Sequence, residues 1–139
     1  MKRLLLAFAI AGASLITLNS CTKEYITNYL PGITYTPTIK GKDWTVDQGS
    51  IVYYKELVFP ELDAKYFNSG TVQVHLEFAD DKGFYNAIPA TIKGIHYSFD
   101  YKVGLITIFA EDRAGQTENA LDKDIRAKIT LTDADNGGN

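Results

Sequence analysis

Hydrophobic and polar residues alternate with a period of two over most of the chain after Ile33. The stretch 71–79 is the clearest case, with four hydrophobic residues on one face and four polar residues on the other. The hydrophobic residues are Val72, Val74, Leu76 and Phe78. Residues 125–132 repeat the pattern. Alternation of this kind predicts β-strands that bury one face.

Turn-forming residues divide the chain into about seven predicted strands. Pro37 and Pro89 place two of these strands at sheet edges, because proline donates no hydrogen bond to a neighbouring strand. The predicted strands cover residues 33–39, 51–59, 71–79, 84–92, 97–101, 105–110 and 125–132. No long helix is expected. The pattern therefore predicts an all-β fold, an antiparallel immunoglobulin-like β-sandwich, with a small β-barrel as the alternative.

The segments between the clearest strands have patterns of their own. Residues 51–59 carry hydrophobic side chains on both faces, which predicts a central strand. Residues 61–67 can hold one helical turn before a turn at 68–70. Residues 42–49 are also predicted as a turn region, and 111–122 as a polar loop.

The start of the chain has the order of a secretory signal. Met1-Lys2-Arg3 is cationic, the 15 residues from Leu4 to Leu18 carry no charge, and the small Ser20 precedes Cys21. This order predicts a signal peptide over residues 1–20 that is cleaved between Ser20 and Cys21. The alternative is a transmembrane anchor, but the uncharged run is shorter than the roughly 20 residues that span a bilayer.

Cys21 is the chain's single cysteine, so no intramolecular disulfide can form. Its position at the predicted cleavage site suggests a thiol that receives lipid, and the alternatives are a buried structural cysteine or a chance match in an ordinary signal peptide. Leu18-Asn19-Ser20-Cys21 resembles the bacterial lipobox, although Asn19 stands where alanine or serine is usual. The resemblance implies lipid attachment to Cys21 and cleavage just before it. It also implies the outer membrane, because Thr22 stands where an aspartate retains many lipoproteins in the inner membrane.

Composition agrees with one exported domain. Removing residues 1–20 from the 139 leaves 119, which fits a lipidated tether at 21–32, a β-sandwich at 33–133 and a polar tail at 134–139. Removing Lys2 and Arg3 from the 14 basic residues leaves 12 against 17 acidic ones, a net charge of −5. This balance argues against nucleic acid as a partner. The membrane contact is therefore expected through lipid on Cys21.

Several segments together resemble the small lipoproteins typical of the Bacteroidota. Besides the lipobox and tether, they are Asp43-Trp44, Phe59-Pro60-Glu61-Leu62, residues 70–74, residues 85–89 and the tyrosine-rich hairpin 97–108. Tyr85 and Ile88 stand where tryptophan and leucine are usual in that order of motifs. The resemblance implies a lipobox followed by a single β-sandwich domain, and it implies no particular activity.

Two histidines supply a candidate metal site. His75 and Glu77 share one strand face, and His96 and Asp100 share the outward face of another predicted strand. If those strands are neighbours with aligned faces, the four side chains can approach a zinc ion, because imidazole and carboxylate are zinc ligands. The alternative is that all four are ordinary polar residues on solvated sheet faces.

Nucleophilic catalysis has little support in the sequence. Ser50, Ser69 and Ser98 lie in no Gly-x-Ser-x-Gly motif, and lipid would consume the Cys21 thiol. We therefore expect no catalysis and no cofactor, with a metal-dependent hydrolase using His75 and His96 as the alternative enzyme.

A binding surface is the favoured functional expectation. Five aromatic residues are candidates to stack on a glycan or to fill a protein partner's pockets, namely Trp44, Tyr54, Tyr85, Tyr97 and Tyr101. Each can instead belong to the core or to a cross-strand pair. The expected protein is an outer-membrane lipoprotein whose sandwich serves in binding, adhesion or assembly. The alternative without a ligand is a purely structural envelope lipoprotein.

Overall fold

A computed structural model describes residues 32–113 and 121–134. The predicted signal peptide, the cleavage site, Cys21, the tether up to residue 31 and nearly all of the tail lie outside the described residues.

Ten strands and one α-helix make up the described chain. In chain order they are β1 (Ile33–Tyr35), β2 (Thr38–Ile39), β3 (Thr45–Val46), β4 (Val52–Val58), α1 (Ala64–Ser69), β5 (Gly70–Phe78), β6 (Asn86–Ile88), β7 (Ala90–Ile92), β8 (Ile95–Lys102), β9 (Leu105–Asp112) and β10 (Ile125–Asp133). A 3-10 helix covers Gly41–Asp43.

The strands form two antiparallel sheets. Sheet A has the order β1-β10-β5-β6, with β2 also paired to β10 beyond β1 along the same edge. Sheet B has the order β3-β4-β9-β8-β7. Each sheet keeps its own two edges, so the alternative of a small barrel is wrong. The predicted antiparallel β-sandwich is confirmed.

All seven predicted strands are present, and two of them are divided. The first is interrupted at Thr36-Pro37, which leaves β1 and β2 side by side on β10. The fourth is divided at Pro89, where the chain leaves sheet A as β6 and enters sheet B as β7. Proline explains both interruptions, because it lacks the N–H that would continue the pairing. Only the two-residue strand β3 was not predicted.

The core lies between the inner faces of the two sheets. The predicted hydrophobic face of β5 is buried, and so is the matching face of β10 with Ile125, Ala127, Ile129 and Leu131. Sheet B contributes the alternate residues Ile95 and Tyr97 of β8 and Ile106, Ile108 and Ala110 of β9. Burial of these hydrophobic faces is the main favourable contribution to folding.

Strand β4 corrects one expectation. Tyr53 and Leu57 pack against the core, but Val58 on the other face is 76% exposed. The strand is therefore not buried on both faces, because only one face of sheet B packs against sheet A.

The polar loop predicted at 111–122 is also partly wrong. Glu111 and Asp112 continue β9, and Asp112 is buried at 3% exposure. Pairing with β8 holds these acidic residues in extended structure, since Glu111 lies opposite His96 and Asp112 opposite Ile95.

Helix α1 is longer than the predicted single turn and runs through the expected turn at Asn68-Ser69. It begins because the Asp63 side chain accepts hydrogen bonds from the backbone N–H groups of Lys65 and Tyr66, at 2.9 and 3.0 Å. The helix closes one end of the sandwich, because it connects the end of β4 in sheet B to the start of β5 in sheet A. We call this the α1 end.

Candidate ligand-binding face

The candidate metal ligands lie on two different sheets. His75 and Glu77 are on β5 of sheet A, and His96 and Asp100 are on β8 of sheet B. Strand β5 pairs with β10 and β6, whereas β8 pairs with β7 and β9. All four residues alternate with core residues and therefore face away from the opposite sheet. The two histidines thus lie on opposite outer faces, and the predicted four-residue cluster does not form.

These side chains have neighbours of their own. Glu77 accepts a hydrogen bond from the Gly83 backbone N–H at 2.8 Å and lies 3.5 Å from the Arg126 guanidinium. The Thr91 hydroxyl lies 3.2 Å from Nδ1 of His96. His75 Nδ1 is buried without a hydrogen-bond partner within the described residues. Nowhere in residues 32–113 and 121–134 do three or more His, Cys, Asp or Glu side chains form a group that could hold a metal ion.

Three of the five candidate rings belong to the interior. Tyr97 is 1% exposed, and burial raises the pKa of its hydroxyl to about 12. Trp44 and Tyr101 are partly buried and pack against the core. Tyr101 also contacts Phe67 of α1 edge to face, with ring centroids 5.9 Å apart. The expectation that Tyr97 is available to a ligand is therefore wrong, because its strand position points into the sandwich.

Tyr85 lies on the outer side of sheet A. It is 38% exposed, and the Lys128 ammonium lies 5.3 Å from the centre of its ring. This cation–π contact occupies one side of the ring. Tyr85 is therefore accessible, but it is a single ring among polar residues.

Tyr54 lies on the outer face of sheet B as part of a continuous cross-strand row. Register places Tyr54 opposite Thr45 on one side and Phe109 on the other. Ser98 follows, opposite Phe109. The row crosses four strands and places two partly buried aromatic residues opposite each other, between two residues with hydroxyl side chains. Directly opposite side chains in antiparallel strands are close enough to contact one another.

Phe109 was not among the predicted ring candidates. It lies in the run 105–110, which is hydrophobic at nearly every position and hides its own alternation. Ile106, Ile108 and Ala110 are fully buried, which leaves Phe109 on the outer face. Taking the period of two through this run would have identified it.

Polar rows flank the aromatic row on both sides. One contains Val52, Glu111, His96 and Thr91, and the other contains Glu56, Thr107 and Asp100. The Arg113 guanidinium holds the pKa of the Glu111 carboxyl below its ordinary value, first through a hydrogen bond of 3.0 Å and also through its charge. His96 adds a smaller effect in the same direction. Glu111 is therefore ionised at neutral pH. The outer face of sheet B thus offers two rings bordered by carboxylates, hydroxyls and an imidazole.

Two grooves lie elsewhere on the molecule. An apolar groove of about 490 Å³ runs between the edges of the two sheets, lined by Tyr35, Pro37, Leu57 and Phe59 among others. A polar groove of about 370 Å³ lies at the end opposite α1, where Glu77, Arg126 and Asp124 line it. Neither of these two grooves includes Tyr54 or Phe109.

The described residues thus form an all-β sandwich in which two aromatic residues, Tyr54 and Phe109, lie opposite each other on the outer face of sheet B. Comparison of the chain with protein-family models, with curated proteins and with solved structures gave no match. Of the residues that the structure describes, none forms a helix with the length and hydropathy to cross a membrane.

Proposed function

We propose that the protein is an outer-membrane lipoprotein, anchored through Cys21, whose β-sandwich binds a glycan on the outer face of sheet B. The observation that carries the binding proposal is the cross-strand row of Thr45, Tyr54, Phe109 and Ser98. The anchor is supported by the sequence around Cys21.

The chemistry of the face matches that of a sugar chain. A pyranose ring has a face of C–H groups and a rim of hydroxyl groups. The C–H face packs on aromatic rings such as Tyr54 and Phe109, which bury much area and lose little conformational entropy on binding. The hydroxyl rim needs donors and acceptors, and carboxylates and hydroxyls of the flanking rows supply them. An extended polysaccharide also needs an open face rather than a closed pocket.

A glycan-binding assay tests the face directly. We expect the mature protein to retain particular polysaccharides on a glycan array, and Tyr54→Ala or Phe109→Ala to weaken that binding by about tenfold or more, equivalent to about 1.4 kcal/mol. Tyr85→Ala is the matched control, because it removes an exposed ring from the outer side of sheet A. Equal loss in all three variants would show that the row has no special role.

The anchor has its own test. Metabolic labelling with an alkyne fatty acid should label the natural chain but not Cys21→Ala, and the variant should leave the membrane fraction. If Cys21→Ala stayed membrane-bound with its signal processed normally, the lipoprotein proposal would be wrong. Failure of this test leaves the glycan assay unaffected, since the face lies in the folded domain.

The metal-dependent alternative has lost the arrangement on which it depended. Its four ligands needed neighbouring strands, and the structure places them on opposite outer faces. Among the residues that the structure describes, no observation favours a metal-dependent hydrolase over a binding module.

A further inference from the structure

The described chain begins at the α1 end of the sandwich. Gly32 lies beside the backbone of Leu131, 3.7 Å from where its Cβ would be, and Ile33 pairs with Leu131 near the end of β10. Ser69, the last residue of α1, accepts a hydrogen bond from the Ala134 backbone N–H just after that strand. Any tether that leads from Cys21 therefore reaches the domain at this end.

Three of the exposed large hydrophobic side chains lie at the same end. Val58 ends β4 and is 76% exposed, Val103 lies in the turn between β8 and β9 and is 53% exposed, and Phe67 on α1 is 42% exposed. The turn is bound to the segment before α1, because the Gly104 N–H donates to the Leu62 carbonyl at 2.8 Å. All three residues are exposed at this end of the domain, and we call them together the apolar cap.

Charged residues concentrate at the opposite end. Its turns carry Asp80, Asp81, Lys82, Lys93, Asp122, Lys123 and Asp124, all of them exposed. Asp80 there pairs with Lys93 at 2.7 Å and lies 3.8 Å from Lys123. Phe84 and Ile51 are also exposed at this end, but Phe84 follows the charged turn directly and Ile51 follows Asp47-Gln48-Gly49-Ser50. The α1 end also carries exposed charged side chains, namely Glu61, Asp63, Lys65 and Lys102, so the two ends differ in how many they carry. We call the opposite end, which carries more of them, the charged end.

We infer that the apolar cap rests on the lipid bilayer, with Val58, Phe67 and Val103 in the membrane interface and the charged end pointing away from it. This inference rests on the proposed lipid at Cys21. Eleven residues from Cys21 to Pro31 reach at most about 40 Å. That length permits contact between the domain and the bilayer without enforcing it. The exposed hydrophobic side chains of the apolar cap are what favours the contact.

The tether sequence favours the same arrangement. It contains Tyr25, Ile26, Tyr29 and Leu30 between Cys21 and Gly32. Tyrosine is enriched at membrane–water interfaces, where its ring is apolar and its hydroxyl stays hydrated. On the proposed anchor, these side chains would add affinity for the interface close to the point where the chain enters the domain. Polar Gly/Ser-rich linkers, by contrast, behave as flexible spacers.

Single-cysteine labelling can measure the contact in the full lipidated chain. Lipid occupies the thiol of Cys21, the only natural cysteine, so a new cysteine is the one site that reacts. Val103→Cys and Val58→Cys place an environment-sensitive fluorophore on the apolar cap, and Asp81→Cys places it in the charged turn as the matched control. The proteins are reconstituted in phosphatidylethanolamine vesicles that contain a minority of phosphatidylglycerol, with and without a lipid-borne quencher.

We expect the labels at 58 and 103 to shift to shorter emission wavelength and to lose intensity with the quencher, and the label at 81 to do neither. Labels at 58 and 103 that behave like the label at 81 would overturn the inference. If mass spectrometry showed lipid on Cys21 in that sample, the lipid anchor would stand and only the inferred contact of the cap with the bilayer would be overturned. Absence of lipid would overturn both the anchor and the contact. If the labels at 58 and 103 were protected from solvent in cells but not in pure lipid vesicles, the inferred contact with the bilayer would also be wrong. That result would instead indicate a protein bound on this surface.

Discussion

Ile108 offers the sharpest test of which side of sheet B is core. It lies in β9, the middle strand of that sheet, and is 0% exposed. Ile108→Ala removes three carbons from a fully buried site, a loss of about 2.4 kcal/mol at about 0.8 kcal/mol per buried methylene. The cavity left behind adds to this loss, so we expect the free energy of unfolding to fall by about 3 kcal/mol. Domains of this size have a total of about 5–15 kcal/mol.

The neighbouring residue is the control. Phe109 is only partly buried on the outer face, where its cross-strand neighbours are Tyr54 and Ser98. A cross-strand pair contributes about 0.2–1 kcal/mol, so Phe109→Ala should lower the free energy of unfolding by about 1 kcal/mol or less. Urea unfolding followed by circular dichroism measures the free energy of unfolding of both variants, and we expect the m-value to be unchanged in each. By thermal unfolding, Ile108→Ala should lower Tm by at least about 10 °C.

Equal losses at the two positions would refute the reasoning. They would place the Phe109 ring in the core and remove the aromatic row from the outer face. A larger loss at 109 than at 108 would invert the assignment of the two faces of β9.

Three further predictions follow from particular contacts. The pKa of Asp80 lies below its ordinary value of 3.8, first because Lys93 donates a hydrogen bond to it and also because of the Lys93 charge. The ionised Asp80 carboxylate therefore stabilises the fold above pH 3.8, and this stabilisation is lost as the pH falls through the lowered pKa. Urea midpoints of the natural chain and Asp80→Asn should therefore differ at neutral pH and converge in acid. Burial raises the pKa of Tyr97 from 10.0 to about 12, so stability falls as the pH rises through that interval, and Tyr97→Phe should unfold at higher pH than the natural chain in an ultraviolet phenolate titration. A Cβ atom at Gly70 would lie 2.7 Å from a carbonyl oxygen of α1, so Gly70→Ala should lower the free energy of unfolding by about 1–3 kcal/mol, whereas Gly32→Ala, with its nearest neighbour at 3.7 Å, should change it little.

Sequence reasoning worked best where one strand face is buried. The hydrophobic residues of β5 and β10 follow a period of two, and every one of them is in the core. Proline also acted as expected, since the strands next to Pro37 and Pro89 lie at sheet edges, although the division of both predicted strands at these prolines was not expected. The weaker predictions concern β4 and the start of the region 111–122, where local composition did not reveal which strands lie alongside.

The candidate sites depended on information that a strand pattern does not contain. Alternation shows that His75 and His96 face outward from their own strands, and both do. It cannot show that those strands belong to different sheets. The same limit applies to the aromatic rings, because a tyrosine on either face of a strand satisfies the same propensity.

By itself, then, the sequence determined the class of fold, most strand positions and the N-terminal segment that suggests a lipid anchor. These features are local, because side-chain alternation, proline chemistry and a short processing motif act within a few residues. Only the tertiary structure decided that Tyr97 is buried while Tyr54 and Phe109 share the outer face of sheet B. It also decided that Val58, Phe67 and Val103 are all exposed at the end where the chain enters the domain. Such groupings depend on strand order and on register between residues that are far apart in sequence. Strand order and register are fixed only when the two sheets form and pack together.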